Sequence, residues 1–366
     1  MWIERIDLTN FRNFSKQTIN FSRKINLIIG DNAQGKTNVI EAVYLLATTK
    51  SFRTNKDSDL INWSSSESVI KGKSGPNEVK IVITEGGKKA FVNNHIKSKA
   101  TLVGLIPVVV FSPESLRIIS DSPDYRRKFL DQILSITNKN YLYNLSRFNK
   151  ILRERNRLLW LIKQGSNHDL SVWDKQVASV GSFIWWERLK FVAKGNSLLK
   201  QVSSRISSPR IRIEYKPLPT KVESERDIRK IYDIELVKRK DGDIDRLATT
   251  FGPHRDDFKI IFETIDKEKI FEKEIGVFGS RGEQRIATLA LKLVEVEYID
   301  GSLGQRPTLL LDDILSEFDK TNREHIIATL PRQQSIITAT TTDLLPKELL
   351  DKIKIFEVAG GEIREV

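Results

Sequence analysis

Residues 30–37 read Gly30-Asp31-Asn32-Ala33-Gln34-Gly35-Lys36-Thr37, a complete GxxxxGK[ST] loop. The apolar run Ile25–Ile29 leads into it. Asn38–Ala47 follows, with Val39, Ile40, Val43, Tyr44 and Leu46 at helical spacing. A buried strand, a glycine loop and a helix in that order form a phosphate cradle. Glycines let successive backbone N–H groups turn inward, and the helix aims its positive end at the same point. In this pattern Lys36 supplies a point charge to the β and γ phosphates, and the Thr37 hydroxyl is a ligand for Mg²⁺. The candidate nucleotide-binding set is therefore Gly30, Asp31, Asn32, Ala33, Gln34, Gly35, Lys36 and Thr37. A chance glycine-rich turn would share the spacing but not the flanks.

Two further stretches bear on the same chemistry. Thr308-Leu309-Leu310-Leu311-Asp312-Asp313 is an apolar strand that ends in two acids. A buried strand gains nothing from terminal carboxylates unless a cation or polar chemistry sits there. Asp312 reads as the metal-side carboxylate, and Asp313 as the group that orients or deprotonates an attacking water. The bland alternative is a helix N-cap. Gly279-Ser280-Arg281-Gly282-Glu283-Gln284 precedes a periodic helix over 283–298, with Ile286, Leu289, Ala290, Leu293 and Val296. A serine, a glycine and the N–H groups of a helix start make a second anion site. One ATP has no use for two such cradles. Ser280 and Gly282 are therefore assigned to the ATP held by a second copy of the chain, in a head-to-tail homodimer. Against this stands an ordinary capping box, Ser280 with Glu283.

The 366 residues suffice for two or three domains. Cysteine is absent, which excludes disulfides, thiolate metal cages and cysteine nucleophiles. The four histidines stand far apart, so a zinc enzyme is not indicated. No run of about 18 apolar residues exists, and Trp2 and Ile3 open a strand-like pattern, not a signal peptide. A cytoplasmic protein follows. The net charge of +12 is concentrated: Phe111–Lys216 holds 20 Lys/Arg against 9 Asp/Glu. Such a lobe faces a polyanion, or merely keeps a helical surface soluble.

Periodicity predicts strands at 79–83, 90–92, 108–111, 258–262, 308–311 and 335–338, a hairpin turn at Gly86-Gly87 and a loop at 72–77. Helices are predicted over 124–136, 141–163 and 172–203. The polar break 164–169 makes the last two an antiparallel hairpin, spanning about 45 Å at 1.5 Å per residue. Pro209, Pro217 and Pro219 punctuate its exit.

The three nucleotide motifs in this order resemble the ABC-type ATPases, in particular their SMC-like repair branch. Ser280–Gln284 looks like the ABC signature, and Ser316-Glu317-Phe318-Asp319 like the loop that crosses the dimer axis. Pro113-Glu114, Ile118-Ile119, Ser122-Pro123, Arg126-Arg127 and Phe129-Leu130-Asp131 narrow the resemblance to the RecF recombination-mediator family. Gly252-Pro253-His254-Arg255-Asp256-Asp257 and Asn10-Phe11-Arg12-Asn13-Phe14 do the same. The implied fold is α/β: an ABC-ATPase-type P-loop lobe with mixed sheets (1–111 and 245–366), plus an inserted, mainly helical lobe (112–244) with a short helical-hairpin arm. The resemblance also places Arg12 and Asn13 near the nucleotide phosphates. It implies a weak ATPase used as a switch, with ATP and Mg²⁺, and ATP-dependent dimerisation on double-stranded or gapped DNA and its junctions. RecR, RecO and RecA are the implied partners, in replication, recombination, repair and the SOS response at the nucleoid. Phe318 departs from the usual Leu, Asp313 from the usual Glu, and no switch histidine follows strand 335–338. Thr338, Thr340, Thr341 and Thr342 stand there instead.

For the polyanion, Arg126 and the stripe Lys150, Arg153 and Arg157 are the candidate DNA contacts. Residues three and four apart share a helix face, and such a stripe neutralises phosphates without reading bases. Arg147 and Arg155 add to the local charge, and Arg127 lies in register with Asp124 and Asp131 for an internal pair. Two other readings remain open on the motifs alone: the ATPase subunit of an ABC transporter, and a small-molecule phosphotransferase.

Overall fold

A computed structural model of the protein describes residues 2–206, 208–215, 222–266 and 269–366. It divides into two compact units, Met1–Leu116 with Thr288–Val366, and Arg117–Ala287. In chain order the first unit opens with the hairpin β1 (Arg5–Phe11) and β2 (Phe14–Asn20), then β3 (Ile25–Ile29) and α1 (Lys36–Thr48). β4 (Glu67–Ser74), β5 (Asn77–Thr84), β6 (Gly87–Val92), β7 (His95–Lys97), the short α2 (Lys99–Leu102) and β8 (Val108–Phe111) follow.

The second unit contains α3 (Arg117–Ser120), α4 (Pro123–Thr137), α5 (Lys139–Lys163), α6 (Ser171–Arg205), β9 (Arg210–Tyr215), α7 (Glu225–Arg246), β10 (Phe258–Asp266), β11 (Lys269–Glu274) and α8 (Ile275–Phe278). α9 (Arg281–Leu303) begins in this unit and ends in the first. The first unit then closes with β12 (Thr308–Asp312), α10 (Lys320–Thr329), β13 (Ser335–Ala339), α11 (Lys347–Leu350), β14 (Lys354–Ala359) and β15 (Glu362–Glu365).

Two six-stranded sheets build the first unit. One is antiparallel, in the order β2-β1-β4-β5-β6-β7. The other runs β15-β14-β3-β13-β12-β8, and all its pairings are parallel except that of the edge strand β15. α1 is buried almost continuously from Val39 to Ala47 because it packs on both sheets, which explains why it reads as apolar nearly all round. Ile6, Leu8, Ile70 and Val79 of the first sheet share its core with Ile28, Leu310, Ile336 and Phe356 of the second. Gly72 shows how closely they pack: a Cβ there would stand 2.6 Å from Leu46 Cδ1. The loop expected at 72–77 is thus a strand end and a two-residue hairpin. Likewise Gly87 already pairs with Thr84, which leaves Glu85 and Gly86 as the turn.

In the second unit α5 and α6 form the expected hairpin across 164–170. α7, which periodicity did not reveal, packs against both. It buries Ile228, Tyr232 and Leu236 at four-residue spacing in an otherwise charged helix. The unit boundary falls at 287/288, whereas the sequence suggested that residues 245–287 return to the ATPase lobe. Hydrogen bonding explains the difference. β10 pairs with β9 and β11 in a sheet of the second unit. Pro217 and Pro219 lie outside the described residues.

The loop before β10 is anchored by charge. Arg188, fully buried on α6, donates to both Asp256 carboxylate oxygens (2.7 and 2.8 Å), the Pro253 carbonyl (2.6 Å) and Asp131 (2.6 Å). Trp185 Nε1 and the Tyr215 hydroxyl also donate to Asp256. Arg126 makes a bidentate pair with Asp257 (2.6 and 3.0 Å), and Arg127 reaches the Asp256 carbonyl and Asp124. The family landmarks at 126–131 and 252–257, more than a hundred residues apart, are therefore partners of one another. Removing one member of such a buried pair strands the other charge.

His254 sits inside this loop. Its Nε2–H donates to the Thr249 carbonyl at 2.8 Å, and its ring packs on Phe148. Burial, reinforced by Arg255 and Arg127 and opposed by the Thr249 bond and Asp243, lowers its pKa from 6.5 to about 4. Between those values the unfolded chain binds a proton that the folded chain refuses, so stability falls on acidification through that window. At pH 5 the loss is about 2 kcal/mol. Thermal unfolding of wild type and His254→Asn should show the wild type losing more Tm between pH 7 and pH 5. Parallel losses would refute a neutral, buried imidazole.

Candidate nucleotide-binding site

Strand order places the motifs. β13 lies between β3 and β12, in a register that sets Thr338 opposite both Ile28 and Asp312. The glycine loop leaves the C-terminal end of β3, and Asp312 closes the C-terminal end of β12. In open α/β sheets this edge is where ligands bind.

The loop is backbone-dominated. Gly30, Ala33 and Gly35 all have positive φ. A Cβ at Gly30 would fall 2.3 Å from the Val358 carbonyl oxygen on β14, so only glycine fits between the loop and that strand. α1 has no side-chain cap at its N-terminus and no acid in its first turn, which leaves its positive end uncompensated. Asp31, Asn32 and Ala33 are exposed at the loop tip, whereas Lys36 is buried, its ammonium resting on the Gly30 (2.8 Å) and Asp31 (3.0 Å) carbonyls. Gln34 ties the loop to the C-terminal hairpin by accepting from the Gly360 N–H at 2.7 Å.

At the mouth of the loop Thr37 Oγ1 donates to Asp312 Oδ1 at 2.9 Å. Thr338 Oγ1 donates to the same oxygen at 2.9 Å and accepts the Asp313 N–H at 2.9 Å. Burial raises the Asp312 pKa to about 6 against these hydroxyls, with Asp313 and Glu114 adding to the rise. A buried carboxylate that resists ionisation beside a hydroxyl suits a hard cation with oxygen ligands. Among the described residues no group of three His, Asp or Glu side chains could hold a metal. The fit is thus to a cation that keeps most of its water, as Mg²⁺ does. Asp313 itself is half-buried and in the left-handed conformation, φ 50°.

The other expected residues have definite places. Asn13 reaches the loop, donating to the Gln34 carbonyl at 2.6 Å and accepting from Asn38 at 2.8 Å. Arg12 turns instead to Glu41 on α1 (2.8 and 2.9 Å) and to the Asp59 carbonyl at 2.6 Å. Glu41 is fully buried and also holds Ser51 and Arg53. It was not among the expected site residues, although a lone acid in the run Val39–Leu46 is itself a signal that buried cations will meet it. Thr338, one of four candidate threonines, is fully buried beneath Asp312, while Thr340 and Thr341 are exposed. Phe318 is buried and stacks on Phe111 with ring centroids 6.0 Å apart, so the larger side chain is accommodated by packing.

The 280–284 motif belongs to the second unit, and its capping box is formed. The Ser280 N–H donates to Glu283 at 2.7 Å, and Ser280 Oγ accepts from the Glu283 N–H at 3.3 Å. Lys273 then holds the Glu283 carboxylate below its usual pKa. Ser280, Arg281 and Gly282 are exposed, and space is open around Gly282. The capping role leaves the serine's own proton available to donate.

The basic stripe also resolves. Lys150, Arg153 and Arg157 are exposed on α5. Arg126, grouped with them from sequence, is only 14% exposed in its Asp257 pair and is a structural residue of its unit. Arg155 is fully buried between Asp174 and Asp243. Its register with Tyr141, Phe148, Leu152 and Leu159 could have revealed this.

A parallel sheet with the glycine loop and the acidic strand at one edge, flanked by an antiparallel sheet, defines an ATPase head of the ABC and SMC type. Known proteins agree. The family described as RecF/RecN/SMC N terminal domain matches residues 2–363. The DNA replication and repair proteins RecF of Clostridium tetani and Clostridium novyi are each 38% identical to the chain, over all of both sequences. Two solved structures of the recombination mediator protein RecF, one with ATP and one with ATPrS, superpose with TM-scores of 0.90 and 0.89. They share 32% and 33% identity, over all of this chain and 97% and 98% of theirs. An SMC head bound to part of ScpA shares the fold, with a TM-score of 0.56 at 15% identity over all of this chain and 97% of its own. The chain belongs to the RecF family. That membership displaces the transporter and phosphotransferase readings.

Thr338→Val removes the hydroxyl under Asp312 and strands the Asp313 N–H. A buried unsatisfied group costs about 1–3 kcal/mol. The urea midpoint should fall accordingly with an unchanged m-value, and an unchanged midpoint would show that Thr338 does not brace the acidic strand end.

Proposed function

We propose that this protein is an ATP-switched DNA-binding protein of replication and repair. It closes as a head-to-tail homodimer on double-stranded or gapped DNA, and slow hydrolysis releases it. The observation that carries this reading is the Thr37–Asp312–Thr338–Asp313 chain of hydrogen bonds at the mouth of the phosphate loop. Gly30–Gly35 cradle the phosphates, Lys36 sits against them, and Asn13 holds the loop's shape. Arg12 acts on the same helix through Glu41. Mg²⁺, held by Thr37 and Asp312 with its own waters, would neutralise phosphate charge. Asp313 accepts a proton from the attacking water as general base. Its shorter reach than glutamate fits slow turnover. Ser280 and Gly282 of the second copy donate to the far side of the same triphosphate.

The structures of relatives with ATP and ATPrS support nucleotide binding, and their place in a RecFOR pathway supports work with RecO and RecR; the loading of RecA at gaps rests on the family resemblance. The charge division supports the DNA-facing role. The second unit holds 35 Lys/Arg against 24 Asp/Glu, so its net of +11 accounts for nearly all of the +12. Among the described residues no helix is long and apolar enough to cross a membrane. A site in the cytoplasm, at the nucleoid, accords with DNA as partner.

Two measurements test this function. Light scattering should give a monomer without nucleotide and a dimer with a non-hydrolysable ATP analogue. Lys36→Ala should lose both binding and pairing, and Ser280→Arg should bind ATP yet stay monomeric. A Ser280→Arg dimer would overturn the trans assignment. Second, duplex affinity should fall steeply with salt, and each lost phosphate contact should flatten the log–log slope by about one. Lys150→Ala, Arg153→Ala and Arg157→Ala together should flatten it by about three. Arg126→Ala should instead lower Tm and leave the slope unchanged.

A further inference from the structure

The outward face of α5 carries more than charge. Tyr143 is 65% and Trp160 49% exposed, and each is a large aromatic. Between them stand Arg147, Lys150, Arg153 and Arg157, all exposed. At about 100° per residue these six side chains fall within an arc of about 140°. That arc is centred opposite the buried stripe of Tyr141, Phe148, Leu152, Arg155 and Leu159. Among the described residues Arg147, Lys150 and Arg153 make no ion pair, and the one acid on this face, Glu154, lies 3.9 Å from Arg157. The face therefore keeps a clear positive excess, bracketed by two aromatic planes.

We propose that this face of α5 is a platform for single-stranded nucleic acid, in which Tyr143 and Trp160 stack on bases at the two ends of a run of phosphates held by Arg147, Lys150, Arg153 and Arg157. The proposal rests on the DNA-binding function above and extends it to the unpaired part of a gap. Two physical reasons favour a single strand over a duplex. Bases in a duplex are stacked on each other and offer no open π-face, so exposed aromatics gain nothing there. Unpaired bases stack on aromatic side chains whatever their sequence, while cations along the groove hold the backbone. Tyr143 and Trp160 are about 25 Å apart along the axis, a length that leaves several nucleotides of backbone between them. Sequence preference should be weak, because stacking accepts any base and the cations meet the backbone.

The test compares an oligothymidylate with an abasic backbone of equal length and charge, by fluorescence anisotropy on the full chain. Wild type should prefer the base-bearing strand. Tyr143→Ala and Trp160→Ala should each lower that preference between about fivefold and a hundredfold, with the salt slope and duplex affinity unchanged. Tyr143→Phe and Trp160→Phe keep a ring and should keep the preference. The three cationic substitutions should do the reverse, weakening both strands alike. Equal wild-type affinity for the two strands overturns the platform and leaves a purely electrostatic face, one that would take an acidic protein equally well. So does a double alanine variant that retains the preference. Failure of duplex binding or of its salt dependence would count against the DNA-binding function itself, which the base-versus-abasic comparison keeps separate.

Discussion

Asp312 is a carboxylate buried where three parallel strands end. Two threonine hydroxyls support it, one from the phosphate loop and one from the strand between. Burial and those hydroxyls act in opposite directions on its charge, and burial prevails, leaving it close to half-ionised near pH 6. A group in that condition gains from any cation that reaches it. The strand order, the positive φ values of the loop and the absence of a side-chain cap on α1 all concentrate unsatisfied polarity at the same edge. The first unit is organised around that edge.

The second unit solves a different problem with similar means. Arg188 is buried among Asp131, Asp256 and three aromatic groups that either donate to Asp256 or share its hydrogen bonds, and Arg155 is buried between Asp174 and Asp243. Buried ion pairs add little net stability compared with apolar packing, but a wrong register would strand a charge. They pin the helices and the loop before β10 to one arrangement. Arg126 and Arg127 are held by the same loop, whereas Lys150, Arg153 and Arg157 stay at the surface.

Much of this was legible in the sequence, for identifiable reasons. Apolar runs such as Ile25–Ile29 and Leu309–Leu311 are strands because the parallel sheet buries both their faces. The long helices of the second unit follow from apolar residues at three- and four-residue spacing. What escaped was decided by distant partners. Arg126 and Lys150 look alike as letters; only Asp257, 131 residues away, makes the first structural. α7 escaped because a charged helix with only three buried apolar residues gives little periodic signal. The unit boundary escaped because β10 reads as a strand without saying which sheet it joins. At the phosphate loop the spacing marked the residues that the fold gathers at the strand ends, but the places of Glu41 and Thr338 needed the fold, since both meet neighbours that only the sheet brings close.

β3, which feeds the phosphate loop, has β13 on one side and β14 on the other. Both are encoded some three hundred residues downstream of it. On a ribosome, then, the loop emerges early and waits. Its strand has no hydrogen-bonding neighbour, and Gly30 has no Val358 to lean on, until nearly all of the described chain has left the exit tunnel. Long-range pairings of this kind form late and expose apolar strands meanwhile. The second unit, contiguous in sequence, faces no such delay. Synthesis itself thus imposes an order of maturation in which the basic helical unit is complete before the chain can hold a nucleotide.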